Sequence, residues 1–596
     1  MQAIILAAGM GKRLGELTKG HTKCMVEVNG ETLIFRLLRQ LDRHNLSRII
    51  VVIGYKGAEL KEYISTLNIQ TNIEYIENNV YDKTNNIYSL FLAKDALSID
   101  DTLLFESDII LENSIIDLLT SSPYKDVAIV DKYEHWMDGT VVTLDEQLGI
   151  KRFIPKEQFR YNEIDSYYKT VNIYKFSKEF ANDMYIPFLD AYCKALGKNE
   201  YYEQVLRVIT MIDKSSIRAL PLQGQKWYEI DDIQDLDIAE SIFTDQRYDS
   251  LCARYGGYWR YPEILDYCYL VNPYFPNNHL KEELFSNFSA LLTQYPSGLR
   301  INNLIAAKDF HIKSDYIVVG NGAAELIKII MDNLHDNIGV IRPTFEEYPN
   351  RLTNKSVVEY HVQQPNFSYT ANDLIRYFED KNIRSLILIN PDNPSGNYIP
   401  YEDCIQLIKW TNERGITLIL DESFIDFSQE HPTFLANKLL ENFPNLIVIK
   451  SISKSYGVPG LRLGVLATSN KSLITEIRKD VSIWNINSFA EFYLQIYSKY
   501  EKAYLHAMDL FRQERLRFIT ELQKINYLRV IPSEANYVLC EITNSYTPSD
   551  LAQLLLNNFN ILIKDCSSKC YGNYIRIAVR NTHDNQLLID ALKHIQ

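Results

Sequence analysis

The stretch QAIILAAGMGKRL, residues 2–14, joins an apolar strand pattern directly to a basic loop that contains two glycines. Short apolar runs follow in RIIVVIGY, NIEYIEN and TLLFESDII, and the amphipathic helix patterns ETLIFRLLRQLDRHN and AELKEYISTL lie among them. Alternating strands and helices are typical of a parallel sheet that is covered by helices on both faces. We therefore expect an α/β fold in the N-terminal part of the chain.

A second α/β pattern begins after about residue 272. The runs DYIVVGNG, NIGVIRP, SLILINP, ITLILDES and LIVIKSI predict strands, and AELIKIIMDNL and EDCIQLIKWTNER predict helices. A chain of 596 residues is too long for one core, because domains commonly have about 100–250 residues. Periodicity is lost around residues 243–262, so we expect two domains, 1–245 and 246–596.

The composition argues against several classes of protein. The net charge of −14 disfavours a nucleic-acid-binding or anionic-membrane surface. The sequence contains no run of about 18 apolar residues, so it predicts no membrane span. The eight cysteines are scattered without a CxxC pair, which favours free thiols in a reducing cytoplasm over a zinc site. We expect a cytoplasmic protein that binds neither nucleic acid nor membrane.

The basic loop is the first candidate site. Glycine lets the backbone approach a phosphate closely and expose its N–H groups. Lys12 and Arg13 add the positive charge that a triphosphate requires. The spacing is not that of a P-loop, and a tight strand–helix turn without a ligand is the alternative interpretation. The expected nucleotide-binding residues are Leu6, Ala8, Gly9, Gly11, Lys12, Arg13 and Lys23.

Two motifs in this part resemble a known superfamily. LAAGMGKRL, followed by KCMVEVNG, resembles the sugar-phosphate nucleotidyltransferases, and NNIYSL resembles the phosphocholine cytidylyltransferases among them. The resemblance covers about residues 1–240 and implies a Rossmann-like nucleotidyltransferase domain that uses CTP or another nucleoside triphosphate.

The same resemblance implies roles for acidic residues. Asp108 and Asp231 would coordinate Mg²⁺, and Lys23 and Asp108 would be catalytic. Many members have a glycine between two aspartates where this chain has Glu106-Ser107-Asp108. The role of the second carboxylate therefore stays open.

A lysine among hydroxyl groups marks the second candidate site. Lys454 lies in SISKSYGVPGLRLG, and Arg462 follows it eight residues later. Asp421 ends the run ITLILDES, where a buried carboxylate can pair with a pyridinium nitrogen. Asn393 ends another strand-like run and can hydrogen-bond a cofactor oxygen, and Phe345 offers a flat face to a ring.

This order of residues resembles the class I/II aminotransferase superfamily over about residues 265–596. The resemblance implies a PLP fold-type I domain, similar to aspartate aminotransferase, in which Lys454 binds pyridoxal 5′-phosphate (PLP) covalently. Tyr295 would reach the cofactor phosphate of a neighbouring subunit, which implies a homodimer. The implied cofactor-binding residues are Gly322, Ala323, Ala324, Phe345, Asn393, Asp421, Ser451, Ser453, Lys454, Arg462 and Tyr295.

Two subfamilies compete for the second domain. Histidinol-phosphate aminotransferases have a tyrosine where this chain has Phe424, whereas IKDCSSKCYGNYIRIAVR looks like the threonine-phosphate decarboxylase pattern. We favour decarboxylation and keep transamination as the alternative. The expected substrate-binding residues are Asn272, Arg576 and Arg580.

Together the two resemblances predict a bifunctional enzyme. The first domain would transfer CMP from CTP to a small phosphate or phosphonate that resembles phosphoethanolamine or phosphocholine. The second would decarboxylate a phosphorylated amino acid that resembles phosphoserine, or its CMP conjugate. A first domain that only senses nucleotides is the non-catalytic alternative.

Overall fold

The computed structural model describes residues 1–212, 217–261, 263–269, 271–335 and 337–595. The chain forms two compact units, Met1–Arg260 and Tyr261–Gln596. Within the described ranges, no helix combines the length and the apolar character that a membrane crossing requires.

The first unit is built on a nine-stranded sheet. Gln2–Ala7 lies at its centre and is parallel to both Ile49–Ile53 and Thr102–Glu106. Tyr168–Phe176 then pairs antiparallel with Thr102–Glu106. The sheet is therefore mixed, whereas the alternation of strands and helices predicted a parallel sheet. The main strand order is Ile150–Ile154, Val141–Leu144, Tyr168–Phe176, Thr102–Glu106, Gln2–Ala7, Ile49–Ile53, Ile73–Glu77, and Val127–Lys132 joins Tyr168–Phe176 to Arg218–Pro221.

Helices cover both faces of this sheet, since its central strands are fully buried. Buried Leu and Ile side chains on each face form the two cores, and each such side chain contributes about 1.5–3 kcal/mol to stability. The longer helices are Leu33–Leu41, Gly57–Ser65, Asn86–Leu92, Asn113–Ser121, Ile186–Ala195, Glu203–Ile212, Ile233–Ile242 and Arg247–Ala253.

The run TLLFESDII does not form one strand. It breaks into Thr102–Glu106 in the main sheet and Ile109–Leu111, which pairs antiparallel with Trp227–Glu229. The backbone N–H of Ile230 donates to the carbonyl oxygen of Asp108 at 2.9 Å. This ribbon therefore places Asp108 beside Asp231, although more than 100 residues separate them in the sequence.

The second unit is built on a seven-stranded sheet. Its strands are parallel except Leu463–Ala467, which is antiparallel to both of its neighbours. The order is Ile317–Asn321, Leu463–Ala467, Leu446–Ser451, Thr417–Asp421, Ser385–Ile389, Ile338–Arg342, Val357–His361. All five runs that predicted strands in this part therefore end at one edge of this sheet, together with the candidate residues that follow them.

A smaller sheet and long helices complete the second unit. The small sheet contains Leu528–Val530, Tyr537–Ile542, Tyr574–Ala578 and Lys564–Asp565, and Leu265–Asp266 pairs separately with Ile561–Leu562. The longer helices are Asn278–Ser286, Leu299–Asp309, Ala323–Asn333, Ala371–Phe378, Tyr401–Glu413, Lys471–Asp480, Ser488–Tyr497, Glu501–Leu522, Pro548–Phe559 and Thr582–His594.

Candidate active sites

The first unit contains a cavity of about 910 Å³ at the carboxyl end of its central strands. All the expected nucleotide-binding residues line it, as do Asp108 and Asp231. Ligands bind at this edge in open α/β sheets, because loops leave the strands there and can surround a ligand. The lining residues from the glycine loop and its surroundings are Leu6, Ala8, Gly9, Gly11, Lys12, Arg13 and Lys23.

Gly11 is required by the packing of this loop. Its φ of 61° lies in the left-handed region, and a Cβ atom there would lie 3.0 Å from Thr18 and 3.1 Å from Lys23. The Thr18 hydroxyl donates to the carbonyl oxygen of Gly11 at 3.0 Å, and the Thr22 hydroxyl donates to that of Gly9 at 3.2 Å. Sequence reasoning missed these two threonines, which hold the loop against Lys23.

Lys23 joins the two aspartates. Its Nζ lies 2.5 Å from Asp108 Oδ2 and 2.8 Å from Asp231 Oδ1, and Arg13 also contacts Asp231 at 2.8 Å. Burial alone would lower the pKa of Lys23, but the two carboxylates raise it above its usual range. The Lys23 side chain is therefore a permanent positive charge at physiological pH.

The carboxylates around Lys23 fit a divalent metal ion. Carboxylate oxygens of Asp108, Glu229 and Asp231 lie within 4.8 Å of one another. Asp108 Oδ1 is buried, and no partner for it exists among the described residues. Oxygen ligands of this kind suit Mg²⁺. Sequence reasoning missed Glu229, which precedes Asp231 by two residues and faces the same cavity.

In the second unit, Lys454 lies in the loop that follows the strand Leu446–Ser451. Burial, Arg576 and Arg462 lower the pKa of Lys454 to about 8, and Asp421 opposes them. Asp421, Arg576 and Arg462 therefore all act on the charge of the Lys454 amine.

Asp421 is 4% exposed and both of its oxygens accept hydrogen bonds. The Tyr348 hydroxyl donates to Oδ2 at 2.8 Å, and the backbone N–H of Ser423 donates to Oδ1 at 2.9 Å. Burial nevertheless raises the pKa of Asp421. Sequence reasoning missed Tyr348, because 73 residues separate it from Asp421.

The expected phosphate-binding residues surround a helix N-terminus. Gly322 precedes the helix Ala323–Asn333, its backbone N–H donates to the carbonyl oxygen of Arg462 at 2.8 Å, and a Cβ there would lie 2.5 Å from the Arg462 guanidinium. The Ser453 hydroxyl is buried and lacks a hydrogen-bond partner within the described ranges. A phosphate group would accept hydrogen bonds from the Ser453 hydroxyl and from the first N–H groups of the helix Ala323–Asn333, beside the Arg462 guanidinium, so the residues fit PLP.

Asn393 and Arg576 are close together near this site. Arg576 Nη1 donates to Asn393 Oδ1 at 2.7 Å, and its Nη2 donates to the carbonyl oxygen of Cys268 at 2.9 Å. Arg580 is engaged elsewhere, in an ion pair with Asp584 at 2.8 Å. The two arginines of IRIAVR are thus in different surroundings.

Some of the remaining candidate residues form hydrogen bonds in the interior, and the others are exposed. Asn272 is buried, and its amide donates to the carbonyl oxygen of Ser455 at 2.7 Å, so it supports the Lys454 loop. Ser451 donates its backbone N–H to the Ser423 hydroxyl at 2.9 Å. Phe345 is partly exposed, and Tyr295 is 79% exposed and stacks on Trp484.

The two units match two different family models. The first matches the MobA-like NTP transferase domain over residues 3–146, and the second matches Aminotransferase class I and II over residues 294–595. The whole chain is 29% identical over 601 residues to a CMP-5′-(3-aminopropyl)phosphonate synthase from Streptomyces rubellomurinus, with 100% of this chain and 95% of that protein covered.

Relatives of the second unit include both competing subfamilies. An L-serine phosphate decarboxylase from Sulfurospirillum multivorans is 30% identical over 346 residues, which cover 56% of this chain and 88% of that protein. The solved structure of a histidinol-phosphate aminotransferase from Clostridium acetobutylicum has a TM-score of 0.51 at 29% identity and covers 56% of this chain and 99% of that one. The solved structure of a decarboxylase from Sulfurospirillum multivorans has the same TM-score and identity and covers 57% and 90%.

These matches confirm the predicted fusion and the predicted folds. The chain belongs to the class I and II aminotransferase family, carries an NTP transferase domain ahead of that part, and is a bifunctional enzyme.

Proposed function

We propose that the first unit transfers CMP from CTP to a small phosphate or phosphonate and that the second unit decarboxylates a phosphorylated amino acid or its CMP conjugate. The arrangement of Lys23 between Asp108 and Asp231, in a cavity beside the glycine loop, carries the first half of this proposal. The full-length similarity to the CMP-5′-(3-aminopropyl)phosphonate synthase supports the combination of both halves.

In the first reaction, an oxygen of the acceptor phosphate or phosphonate attacks the α-phosphorus of CTP. A new P–O bond forms, the bond from the α-phosphorus to the bridging oxygen breaks, and pyrophosphate leaves with the electron pair. Lys12, Arg13 and Lys23 neutralise the negative charge that accumulates on the phosphates. Asp108, Glu229 and Asp231 would hold Mg²⁺, which would polarise the attacked phosphate when bound.

In the second reaction, PLP would act as the electron sink when bound. The pKa of about 8 leaves about a tenth of the Lys454 amine neutral at pH 7, against less than about a thousandth for an ordinary lysine. A neutral amine can bond to the cofactor carbonyl. Asp421 would bind the ring nitrogen, and Ser453, Arg462 and the first N–H groups of the helix Ala323–Asn333 would anchor the phosphate.

Decarboxylation is supported over transamination by similarity and by one residue. The serine phosphate decarboxylase is 30% identical to this chain, whereas histidinol-phosphate aminotransferases from Ruminiclostridium cellulolyticum and Arabidopsis thaliana are 25% and 27% identical. Phe424 is buried with its ring perpendicular to that of Tyr537 and has no hydroxyl to offer the cofactor. Transamination stays the second candidate, because the aminotransferase structure from Clostridium acetobutylicum fits equally well.

A homodimer of the second unit is part of the proposal. Tyr295 stacks on Trp484, which follows Ile483 in the sequence, and all three are large apolar side chains that are at least half exposed. Patches of this kind usually mark an interface, and a second copy of the chain would cover this one. Sedimentation analysis tests it, and a monomer at micromolar concentration would contradict it.

The test of the main proposal separates the two reactions. The full chain with CTP, Mg²⁺ and candidate phosphates or phosphonates is expected to release pyrophosphate. Loaded with PLP, it is expected to release CO₂ from phosphoserine or a phosphono amino acid. Absence of pyrophosphate with every acceptor contradicts the first half, and formation of a keto acid without CO₂ replaces decarboxylation by transamination.

A further inference from the structure

Two glutamates of the first cavity have no role in the proposed phosphate chemistry. Glu106 ends the strand Thr102–Glu106, and Glu203 begins the helix Glu203–Ile212. Both line the cavity that contains Lys23 and Asp108. Glu203 is only 6% exposed, so its carboxylate is withdrawn from bulk water while it faces the cavity.

Among the described residues, these two carboxylates form no ion pair. Glu106 accepts one hydrogen bond, from Asn86 Nδ2 at 2.9 Å. Within the part of the chain that the structure describes, neither Glu106 nor Glu203 has a lysine, arginine or histidine nitrogen within 4.0 Å. Lys169, the buried lysine on the cavity wall, lies 3.6 Å from Glu229 and donates to the carbonyl oxygen of Thr170 at 2.5 Å. Its ammonium pairs with Glu229, and from beyond 4.0 Å it offsets only part of the charge of Glu203.

Two buried tyrosines lie close to Glu203. The Tyr174 hydroxyl is near enough to hydrogen-bond the Glu203 carboxylate, whereas the described residues offer the Tyr202 hydroxyl no hydrogen-bond partner. Burial raises the pKa of Glu203. Buried carboxylates are costly unless a cation or donor compensates them, so this end of the cavity is built for a positively charged ligand.

We propose that Glu106 and Glu203 bind the ammonium group of the acceptor while its phosphate or phosphonate lies beside Lys23 and Asp108. Glu106 precedes Asp108 by two residues, a separation of at most about 7 Å along an extended chain, which suits an acceptor with only a few carbon atoms between ammonium and phosphorus. The inference rests on the proposed nucleotidyl transfer and assigns its specificity to two carboxylates other than the proposed metal ligands.

The first test compares two acceptors of nearly equal size. With the full chain, CTP and Mg²⁺, 3-aminopropylphosphonate is expected to have a kcat/KM at least about 100-fold above that of propylphosphonate, because a buried charged hydrogen bond is lost in the second. Glu106→Gln and Glu203→Gln are each expected to reduce this ratio at least about tenfold through a higher KM for the amine. In both variants the loss of kcat/KM is expected to be at least about tenfold smaller for propylphosphonate than for the amine.

The matched control is Glu146→Gln, which makes the same change at an exposed position of the first unit. It is expected to leave the acceptor ratio unchanged. Equal use of the two phosphonates by the unaltered protein overturns the proposal, and so does an equal loss of activity with both acceptors in Glu106→Gln and Glu203→Gln.

A binding measurement needs no turnover. Calorimetric titration of both phosphonates into the full chain, with Mg²⁺ and a non-hydrolysable CTP analogue, is expected to show tighter binding of the amine, and Glu203→Gln is expected to remove the difference. If this result is obtained but no pyrophosphate forms, the ammonium subsite stands and the proposed transfer reaction is wrong. If pyrophosphate forms but the two affinities are equal, the transfer reaction stands and the ammonium subsite is wrong.

Discussion

Lys23 in the first unit and Lys454 in the second are both withdrawn from water, yet their neighbours change their pKa values in opposite directions. Asp108 and Asp231 contact Lys23 and raise its pKa despite burial. Arg576 and Arg462 reinforce the effect of burial on Lys454 and lower its pKa to about 8. The same side chain thus serves as a fixed charge in one unit and as a potential nucleophile in the other.

This difference follows from the chemistry that each unit is proposed to perform. Transfer of a nucleotidyl group needs positive charge that persists in every state, because the negative charge on the phosphates is never lost. A bond from a lysine to a carbonyl carbon needs a neutral amine, which a buried site with cations nearby provides. Substitutions of these lysines or of the charged residues next to them should therefore affect pyrophosphate release in the first unit and CO₂ release or PLP binding in the second.

Lys454→Ala is expected to have the largest effect. Without the amine the second unit cannot bond to PLP, so CO₂ release should fall by at least about 10,000-fold and the near-visible absorbance of the loaded protein should be lost. Pyrophosphate release should not change. The exposed Lys438→Ala is the control and is expected to keep both activities. Retained CO₂ release in Lys454→Ala would contradict the assigned role.

Asp108→Asn is expected to have the next largest effect, on the first unit alone. Loss of one carboxylate weakens the proposed metal site and frees one side of Lys23, so pyrophosphate release should fall about 1,000-fold. Release of CO₂ by the second unit should stay within about twofold, since the substitution lies in the other unit. A first unit that only senses nucleotides would have no turnover to lose, so this measurement also separates that alternative.

The third prediction concerns pH. Bonding of PLP to the apoprotein requires neutral Lys454, so its rate should rise with pH, reach half its maximum near pH 8 and level off above it. Because Arg576 lowers the pKa of Lys454, Arg576→Gln is expected to raise the midpoint by about half a unit to one unit. Arg580→Gln, which removes an arginine that is paired with Asp584, should leave the midpoint where it is. Stopped-flow absorbance measures all three rates.

Local patterns predicted those residues whose role depends on a strand end. Asp421 and Lys454 follow buried apolar runs, and parallel strands bring such ends to one edge of the sheet. The glycine loop was predictable for the same reason, because it follows Gln2–Ala7 directly. In these cases the order of the strands also determines which residues lie next to one another in the site.

Residues that depend on register or on distant packing were not predictable. Glu229 joins the metal-binding carboxylates only because Trp227–Glu229 pairs with Ile109–Leu111, in a ribbon that the run TLLFESDII did not indicate. Arg576 and Arg580 belong to one motif, yet only Arg576 contacts Asn393, because Asp584 at the start of the last helix pairs with Arg580. A single sequence contains no signal that separates such alternatives.

Tyr348→Phe is expected to have the smallest effect and tests how Asp421 is supported. The Tyr348 hydroxyl donates to Asp421 at 2.8 Å, and its removal should cost about 1 kcal/mol of stability and reduce PLP affinity about fivefold, because the carboxylate is held less firmly towards the ring nitrogen.

Tyr377→Phe provides the matched comparison, because the Tyr377 hydroxyl donates to the carbonyl oxygen of Glu359 at 2.7 Å in the same unit. Thermal unfolding should register a loss of about 1 kcal/mol in both variants, but titration with PLP should register a weaker cofactor only in Tyr348→Phe. Equal PLP affinities in the two variants would mean that the second accepted bond, from the backbone N–H of Ser423, is sufficient to orient Asp421.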